Sequence, residues 1–382
     1  MKKVVLSAAA LMIGAMTFAQ QNNSDIDQTG DDNRATVEQA GNSNGSVVLQ
    51  GSAANPNALH NTTTVNQTGD NNASTVNQFD GIENETTNNE AEVTQTSVAG
   101  SGAGNTSNVD QLDNDNKAYV TQDGTNTSDI DQDEDFNEAT VEQYGSNEST
   151  VDQKGSTSGN DQPNNEAFVY QGSASDDATG NTSSITQDSY KNMATVTQSG
   201  DDNEAVVEQN LGTPTGDGEN EAYITQISDE NDAFVYQSRN GNNQEDHTTA
   251  SIATIEQMGD IQNTATINQQ ADGANSTIIQ DGFSNEARTT QKGDIHDSDI
   301  SQTGDDNIAT VNQASGRNLD SDITQLGDFN ESHVFQSGNG HVSAIMQDGN
   351  SNEAQVNQKN TGQISDIMQT GSFNSATVTQ HN

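Results

Sequence analysis

Residues 22–39 read NNSDIDQTGDDNRATVEQ and contain the pattern Asn-x-[Ala/Ser]-x-[Val/Ile]-x-Gln twice, ending first at Gln28 and then at Gln39. The pattern recurs along the chain to Gln380, which gives 29 copies. Of the 28 spacings between successive final glutamines, 17 are 11 residues long. Because the recurring residues occupy every second position, they lie on one face of a strand, whereas a helix would scatter them. The sequence therefore predicts one β-strand per copy.

The recurring residues predict the buried face of each strand, since Thr, Glu, Asp and Asn at the intervening positions suit solvent. One such strand buries too little surface to be stable, so the copies must stack. Stacking sets Asn above Asn and Gln above Gln, where side-chain amides can bond along the stack. The predicted ladder includes Asn22, Gln28, Asn33, Gln39, Asn192, Gln198, Asn307, Gln313, Asn352, Gln358, Asn374 and Gln380.

The connections between copies predict turns. Most are four residues long and resemble Thr-Gly-Asp-Asp, a composition that accepts positive φ. The predicted turn glycines include Gly30, Gly69, Gly200, Gly304 and Gly371. Seven connections are longer, and they contain all three prolines of the chain. Because proline cannot donate a hydrogen bond to a strand ladder, this segregation supports the strand assignment.

The third position of the pattern predicts the size of a coil. Ser and Ala alternate there over the first 14 copies, with Thr63 as one exception. Alternation returns in the opposite phase from copy 20, with Ser332 as an exception. We therefore predict an all-β solenoid of two-strand coils, about 22 residues per coil and about 14 coils, with amyloid-like cross-β edges. The repeats span 22–380, with two regular blocks, 22–198 and 274–380, joined by a less regular stretch, 203–269.

Composition excludes several classes of function. The chain has 382 residues, of which 58 are acidic and 11 basic, and its net charge of −47 excludes a nucleic-acid binder. With no Cys, it has no disulfides, no Cys-based zinc site and no thiol catalysis. The six histidines are scattered, and the carboxylates lie mostly at solvent positions. No acid–base constellation stands out, so we expect neither an enzyme nor a cofactor.

The first 19 residues predict export. Lys2 and Lys3 precede an apolar run from Val4 to Ala15, and the small residue Ala19 follows. This arrangement is typical of a secretory signal peptide covering residues 1–19. The apolar run is shorter than the roughly 20 residues that a membrane span needs. We therefore expect a secreted protein that does not span a membrane.

The two-strand unit also resembles a known family. Ser24 to Gln39 follow the pattern Ser-x3-Gln-x-Gly-x2-Asn-x-Ala-x3-Gln, which recurs from Ser298 to Gln313 and from Ser365 to Gln380. This pattern resembles the curlin repeat of curli subunits. The resemblance implies a solenoid that polymerises with its own copies into extracellular amyloid fibres at the bacterial surface, for biofilm matrix, surface adhesion and cell aggregation. It also implies two further partners, a nucleator subunit and an outer-membrane curli-type secretion pore.

The acidic composition leaves a second function open, a non-polymerising or fibre-associated solenoid adhesin. Acidic turns such as Asp31-Asp32 and Asp305-Asp306 could bind divalent cations through carboxylate oxygens. Neither the EF-hand spacing nor the calcium-binding nonapeptide occurs, so such binding would be nonspecific. The charge also opposes stacking, since two carboxylates about 4.8 Å apart repel by roughly 0.9 kcal/mol in water. We therefore expect salt, divalent cations or mild acid to speed assembly.

Overall fold

The computed structural model describes residues 21–51, 59–79, 88–154, 165–175, 177–209, 219–237, 250–259 and 261–381. The predicted signal peptide, residues 1–19, lies outside these ranges, as do the three prolines and most of the longer connections. Within the described ranges, no helix is long and apolar enough to cross a membrane.

The described residues form 28 strands and no helix. The first fourteen are β1 Asn23–Gln28, β2 Arg34–Ala40, β3 Gly45–Gln50, β4 Thr62–Thr68, β5 Ala73–Phe79, β6 Glu90–Thr96, β7 Thr106–Leu112, β8 Lys117–Gly124, β9 Thr127–Asp133, β10 Glu138–Lys154, β11 Glu166–Gln171, β12 Ala178–Asp188, β13 Met193–Gln198 and β14 Glu204–Gln209. The others are β15 Glu221–Gln226, β16 Asp232–Gln237, β17 Ile252–Gln257, β18 Thr264–Asp272, β19 Asn275–Asp281, β20 Glu286–Asp294, β21 Asp297–Thr303, β22 Ile308–Arg317, β23 Asp320–Leu326, β24 Glu331–Asn339, β25 Val342–Asp348, β26 Glu353–Thr361, β27 Ile364–Thr370 and β28 Ser375–His381. They contain all 29 copies of the pattern, because β10 holds two.

Every strand pairs in parallel with the strand one coil away, so the copies separate into two sheets. We call sheet one the ladder of odd-numbered copies: β1, β3, β5, β7, β9, the second half of β10, and the even-numbered strands from β12 to β28. Sheet two is the ladder of even-numbered copies: β2, β4, β6, β8, the first half of β10, and the odd-numbered strands from β11 to β27. The predicted two-strand coil and β-solenoid are thus confirmed.

The core lies between the two sheets. Inward side chains such as Val141, Ala167 and Ile185 are fully buried, while the side chains between them remain partly exposed. Fully burying one Val or Ile contributes about 1.5–3 kcal/mol, so the valine and isoleucine column stabilises the whole stack. Pairing in the same order continues through β14 to β18, which cover the stretch predicted to be less regular. The division into two blocks remains a prediction.

A regular turn typically has left-handed backbone at two positions, the turn glycine and the residue directly before the next Asn of the pattern. Gly304 has a φ of 112°, and a Cβ atom there would lie 2.4 Å from the carbonyl oxygen of Gly327 in the next coil. Gly30, Gly69 and Gly371 also have positive φ, whereas φ of Gly200 lies outside the left-handed range. The residue directly before the Asn column is left-handed as well, even where it is bulky, as in Phe329 and Phe373. At the glycine position of the turn, as at Gly304, adjacent coils approach so closely that only a residue without a Cβ atom fits.

Candidate functional site along the amide ladders and open ends

An unbroken line of glutamine side chains runs through each sheet. In all 27 neighbouring pairs, Nε2 of one Gln donates to Oε1 of the Gln in the following coil, at 2.6–3.1 Å. Gln302 also donates to the carbonyl oxygen of Glu286 in the opposite sheet, at 3.0 Å. Because both contacts need hydrogens on Nε2, they fix the orientation of the amide. The line therefore has a direction, from the first copy toward the last.

The asparagine column has the opposite direction. Backbone N and Nδ2 of Asn330 donate to Oδ1 of Asn307 at 3.0 and 3.1 Å, and Nδ2 also donates to the carbonyl oxygen of Gly349 at 2.7 Å. Asn330 thus bonds to the coils on both sides of it, which satisfies its buried amide. The structure places the predicted ladder residues in these two columns: Asn22, Asn33, Asn192, Asn307, Asn352 and Asn374 in one, and Gln28, Gln39, Gln198, Gln313, Gln358 and Gln380 in the other.

A third column escaped the sequence interpretation. The Asp or Asn that follows the turn glycine accepts a hydrogen bond from backbone N–H of the preceding coil: Asp305 from Phe283, and Asp328 from Asp305, both at 3.1 Å. Asp70 accepts in the same way from Asn42 and also from Gly100, and these backbone hydrogen bonds lower its pKa. The sequence signal for this column is the repeated Gly-[Asp/Asn] of the turns. Several acidic turn residues are therefore bonded to the preceding coil and are not merely solvated.

The two ends of the described solenoid leave strand edges and core side chains uncovered. Among the described strands, β1 pairs with β3 alone and β28 with β26 alone. All side chains of β1 are exposed, including the inward Ile26, which is 44% exposed. At the other end, Ala376 and Val378 are only partly buried against the core. Both ends thus present unpaired backbone and apolar surface, which is a template for adding another strand.

Comparison with known families bears on residues 282–314, 297–327 and 327–359, each of which matches the family described as Curlin associated repeat. Residues 282–359 of the chain thus consist of curlin repeats. No curated protein matches it. The family and the solenoid fold are structural rather than enzymatic, and the family is associated with extracellular curli fibres.

The matched residues of this curlin-repeat protein lie within a longer stretch in which sheet two changes. From Ser251 onward, the Asn column of that sheet is replaced by Ser251, Ala274, His296, Leu319, His341 and Gln363, while sheet one keeps Asn. Earlier copies carry Asn on both sheets.

The two buried histidines reproduce the hydrogen bonds of asparagine. Nε2 of His296 lies 3.0 Å from the carbonyl oxygen of Lys292, and its Nδ1 accepts from backbone N of Leu319 at 3.3 Å. His341 makes the same pair of contacts, with Ser337 and Gln363. These contacts require a neutral ring with its proton on Nε2. Burial lowers the pKa of His296, which favours that neutral form.

One acidic group of the curlin-repeat protein has ligand-like spacing. The carboxylate oxygens of Asp113, Asp133 and Glu134 lie within 4.8 Å of one another, and the three side chains are half-buried. This spacing is compatible with loose binding of a divalent cation, and carboxylate oxygens are the ligands that Ca²⁺ prefers. The acidic turns singled out from sequence, at 31–32 and 305–306, do not belong to this group.

Proposed function

We propose that this curlin-repeat protein is a secreted structural subunit that polymerises head to tail into curli-like extracellular fibres, for biofilm matrix, surface adhesion and cell aggregation. The observation that carries the proposal is the equivalence of its first and last coils. Both coils follow the same two-strand pattern, with Ser in the first strand and Ala in the second, from Ser24 to Gln39 and from Ser365 to Gln380. A second copy can therefore continue the solenoid.

The phase reversal of Ser and Ala is what makes the two ends match. The number of copies is odd, so continuing the coil sets copy 1 of the next chain above copy 28, in sheet two. Ser24 then lies above Ser365, and Ala35 above Ala376. With a constant phase throughout the chain, Ser would have met Ala at this junction. The irregular central copies thus compensate for an odd number of strands.

The direction of the amide ladders supports the same junction. Gln369 and Gln380 each donate one Nε2 hydrogen to a backbone carbonyl oxygen at 2.9 Å, which leaves their second hydrogen for a following coil. Gln28 and Gln39 donate forward, so their Oε1 atoms face the preceding coil. Head-to-tail addition therefore joins donors to acceptors, and each such bond contributes about 0.5–1.5 kcal/mol net. Head-to-head or tail-to-tail contact would set acceptors against acceptors or donors against donors.

Secretion, a nucleator subunit and a curli-type outer-membrane pore belong to the same proposal. They rest on the apolar segment at residues 1–19 and on the curlin-repeat family. We likewise propose that the protein is not an enzyme. The proposal rests on the family and on the outer surface of the described residues, which consists of repeated columns of Thr, Asn and acidic residues.

A one-end block tests the proposal. Ala376 is an inward residue of the last coil, and its neighbour Thr377 points outward. We expect Ala376→Lys to abolish self-polymerisation, because a buried ammonium would lie at the junction. Added in small amounts to wild-type chain, this variant should stop fibre growth, since it can add to a fibre end and accept nothing further.

The matched control is Thr377→Lys, which places the same charge on the outer face and should leave elongation nearly unchanged. Thioflavin T fluorescence and electron microscopy of seeded residues 20–382 give the readout, with circular dichroism as the check on folding. A wild-type chain that stays monomeric with and without seeds would refute the proposal and favour the soluble acidic adhesin.

A further inference from the structure

Charges in the curlin-matched coils are divided between the two sheets. All four Lys and Arg residues of 282–359 lie on strands of sheet one: Arg288, Lys292, Arg317 and Lys359. The strands of sheet two carry five aspartates and no basic residue there, and four of the aspartates stack in pairs, Asp297 beside Asp320 and Asp299 beside Asp322. Sheet one also carries Glu286, Asp294, Glu331 and Glu353, so basic and acidic residues mix on its face, whereas the charged residues on the strands of sheet two are all acidic.

Two of these basic residues, Arg288 and Lys292, make no ion pair with the described residues of their own chain. Among the described residues, Arg317 pairs with Asp294 at 2.6 Å, whereas Arg288 and Lys292 are exposed and make no ion pair. Asp297 and Asp299 are exposed on the other face and equally lack a cation among those residues. The pKa of Asp297 is raised, first by partial burial and then by the charges of Asp299 and Asp320. Both faces would gain from an opposite charge brought from outside.

The basic and acidic residues stand back to back across the core. Oγ1 of Thr289 and Oγ of Ser298 lie 3.3 Å apart between the sheets. Arg288 and Asp299 adjoin these two residues on the strands and point outward in opposite directions. The bond from Gln302 to the carbonyl oxygen of Glu286 fixes the same alignment at the other end of the strand pair.

We propose that this region is a lateral interface between copies of this chain, in which sheet one of one copy packs on sheet two of its neighbour. In this contact, the second copy is shifted along the sheet normal by the width of the solenoid. Residues that stand back to back within one chain then face each other across the contact between the two copies. Sheets in such contact lie about 10 Å apart. Arg288 then faces Asp299 of the second copy, Lys292 reaches Asp297, and Glu286 meets the neutral Ser301. This contact uses sheet faces, so it is separate from the strand edges of the proposed fibre junction.

The rest of the region fits the same translation. One coil further, Thr310 and Asn312 face Asp322 and Asp320, where a hydroxyl and an amide can donate to carboxylates. No like charges meet across the interface from copy 19 to copy 28. Earlier coils differ, since the translation sets Asp131 against Glu138, Asp152 against Glu166, and Glu208 against Glu221. The complementarity is therefore confined to the last coils, where it can direct fibres to associate side by side.

Cross-linking between two single-cysteine variants tests the interface. Thr266 and Thr277 face each other in the proposed geometry and lie on opposite outer faces of one chain. The chain has no native Cys, so background reaction is absent. Thr266→Cys mixed with Thr277→Cys and a short bismaleimide should give a mixed dimer in several-fold excess over either variant alone. High salt should reduce its yield, because screening weakens exposed charge pairs.

A charge swap tests the pairing itself. Asp299→Arg should abolish the mixed dimer, and adding Arg288→Asp on the same chain should restore it. Asp366→Arg is the control, because the same column there faces the neutral Gln355. Fibres that grow without the mixed dimer, or a dimer that survives Asp299→Arg, would overturn the lateral interface and leave the fibre proposal standing. A mixed dimer without fibres would support the interface and refute the fibre.

Discussion

Replacing Gln302 by alanine within the solenoid should destabilise the chain far more than replacing the equivalent Gln of the last coil. Gln302 is fully buried, donates to Gln325 and to the carbonyl oxygen of Glu286, and accepts from Gln280, at 2.9, 3.0 and 2.9 Å. Gln302→Ala removes all three of these buried hydrogen bonds. Each such loss costs about 1–3 kcal/mol. We expect the free energy of unfolding to fall by about 3–6 kcal/mol, since a water molecule that enters the vacated space can replace some of the lost hydrogen bonds.

The control is Gln380→Ala in the last coil. Gln380 accepts from Gln358 and donates to the carbonyl oxygen of Ile364, but this coil is partly exposed, so water replaces both partners. We expect less than about 1 kcal/mol there.

Urea denaturation of the monomer and hydrogen exchange provide the assay. Because each coil contacts only its neighbours, amide protection should fall in β19, β21 and β23 and persist in β1 to β9. Equal losses for Gln302→Ala and Gln380→Ala, or an unchanged exchange pattern, would refute the amide-ladder account.

Three further predictions concern the core, the histidines and the stacked aspartates. The Oγ of Ser128 is buried and makes no hydrogen bond, so Ser128→Ala should raise the free energy of unfolding by about 1 kcal/mol in urea denaturation. Because burial lowers the pKa of His296 in the folded chain, the unfolded chain takes up a proton that the folded chain refuses as pH falls below about 6.5. Stability should therefore decrease from that pH downward, and His296→Asn should remove most of this slope in urea midpoints. The pKa of Asp322 is raised, first by burial and then by Asp320, Asp299 and Asp297, so the folded chain binds its proton more readily. The contribution of Asp322 to the free energy of unfolding should therefore fall as pH rises above its unfolded pKa of about 3.9. Asp322→Asn removes this fall and should make the chain more stable than wild type at neutral pH, measured by urea denaturation.

Most of the fold could be predicted from the sequence, because one period fixes both the strand and its buried face. Ala or Ser, Val or Ile, and Gln at alternate positions can share a face only in a strand. Register followed from the same columns, since a slip by one residue would turn Gln outward. The pairing of Gln302 with Gln280 and Gln325 is a direct result of this constraint.

The sequence could not predict which polar residues bond between coils. Asp305 looks the same in sequence whether it is solvated or accepts a backbone N–H, because that depends on where the preceding turn lies. For the same reason, positive φ at Phe329 had no sequence signal, since the coil geometry imposes it against the preference of a bulky residue. Gly200 shows the converse, a glycine kept for close approach to Ser228 without a left-handed backbone.

The junction between successive chains is the central claim, and disulfide formation across it is the most direct test. Thr36 of one chain should lie directly above Thr377 of the chain before it, at the strand spacing of about 4.8 Å. This separation is within the range of about 4.4–6.8 Å between Cα atoms that a disulfide spans. Fibres grown from Thr36→Cys mixed with Thr377→Cys should therefore give a mixed dimer on oxidation. A link between Asp25→Cys and Thr377→Cys instead, or no link at all in assembled fibres, would contradict the predicted register of head-to-tail addition.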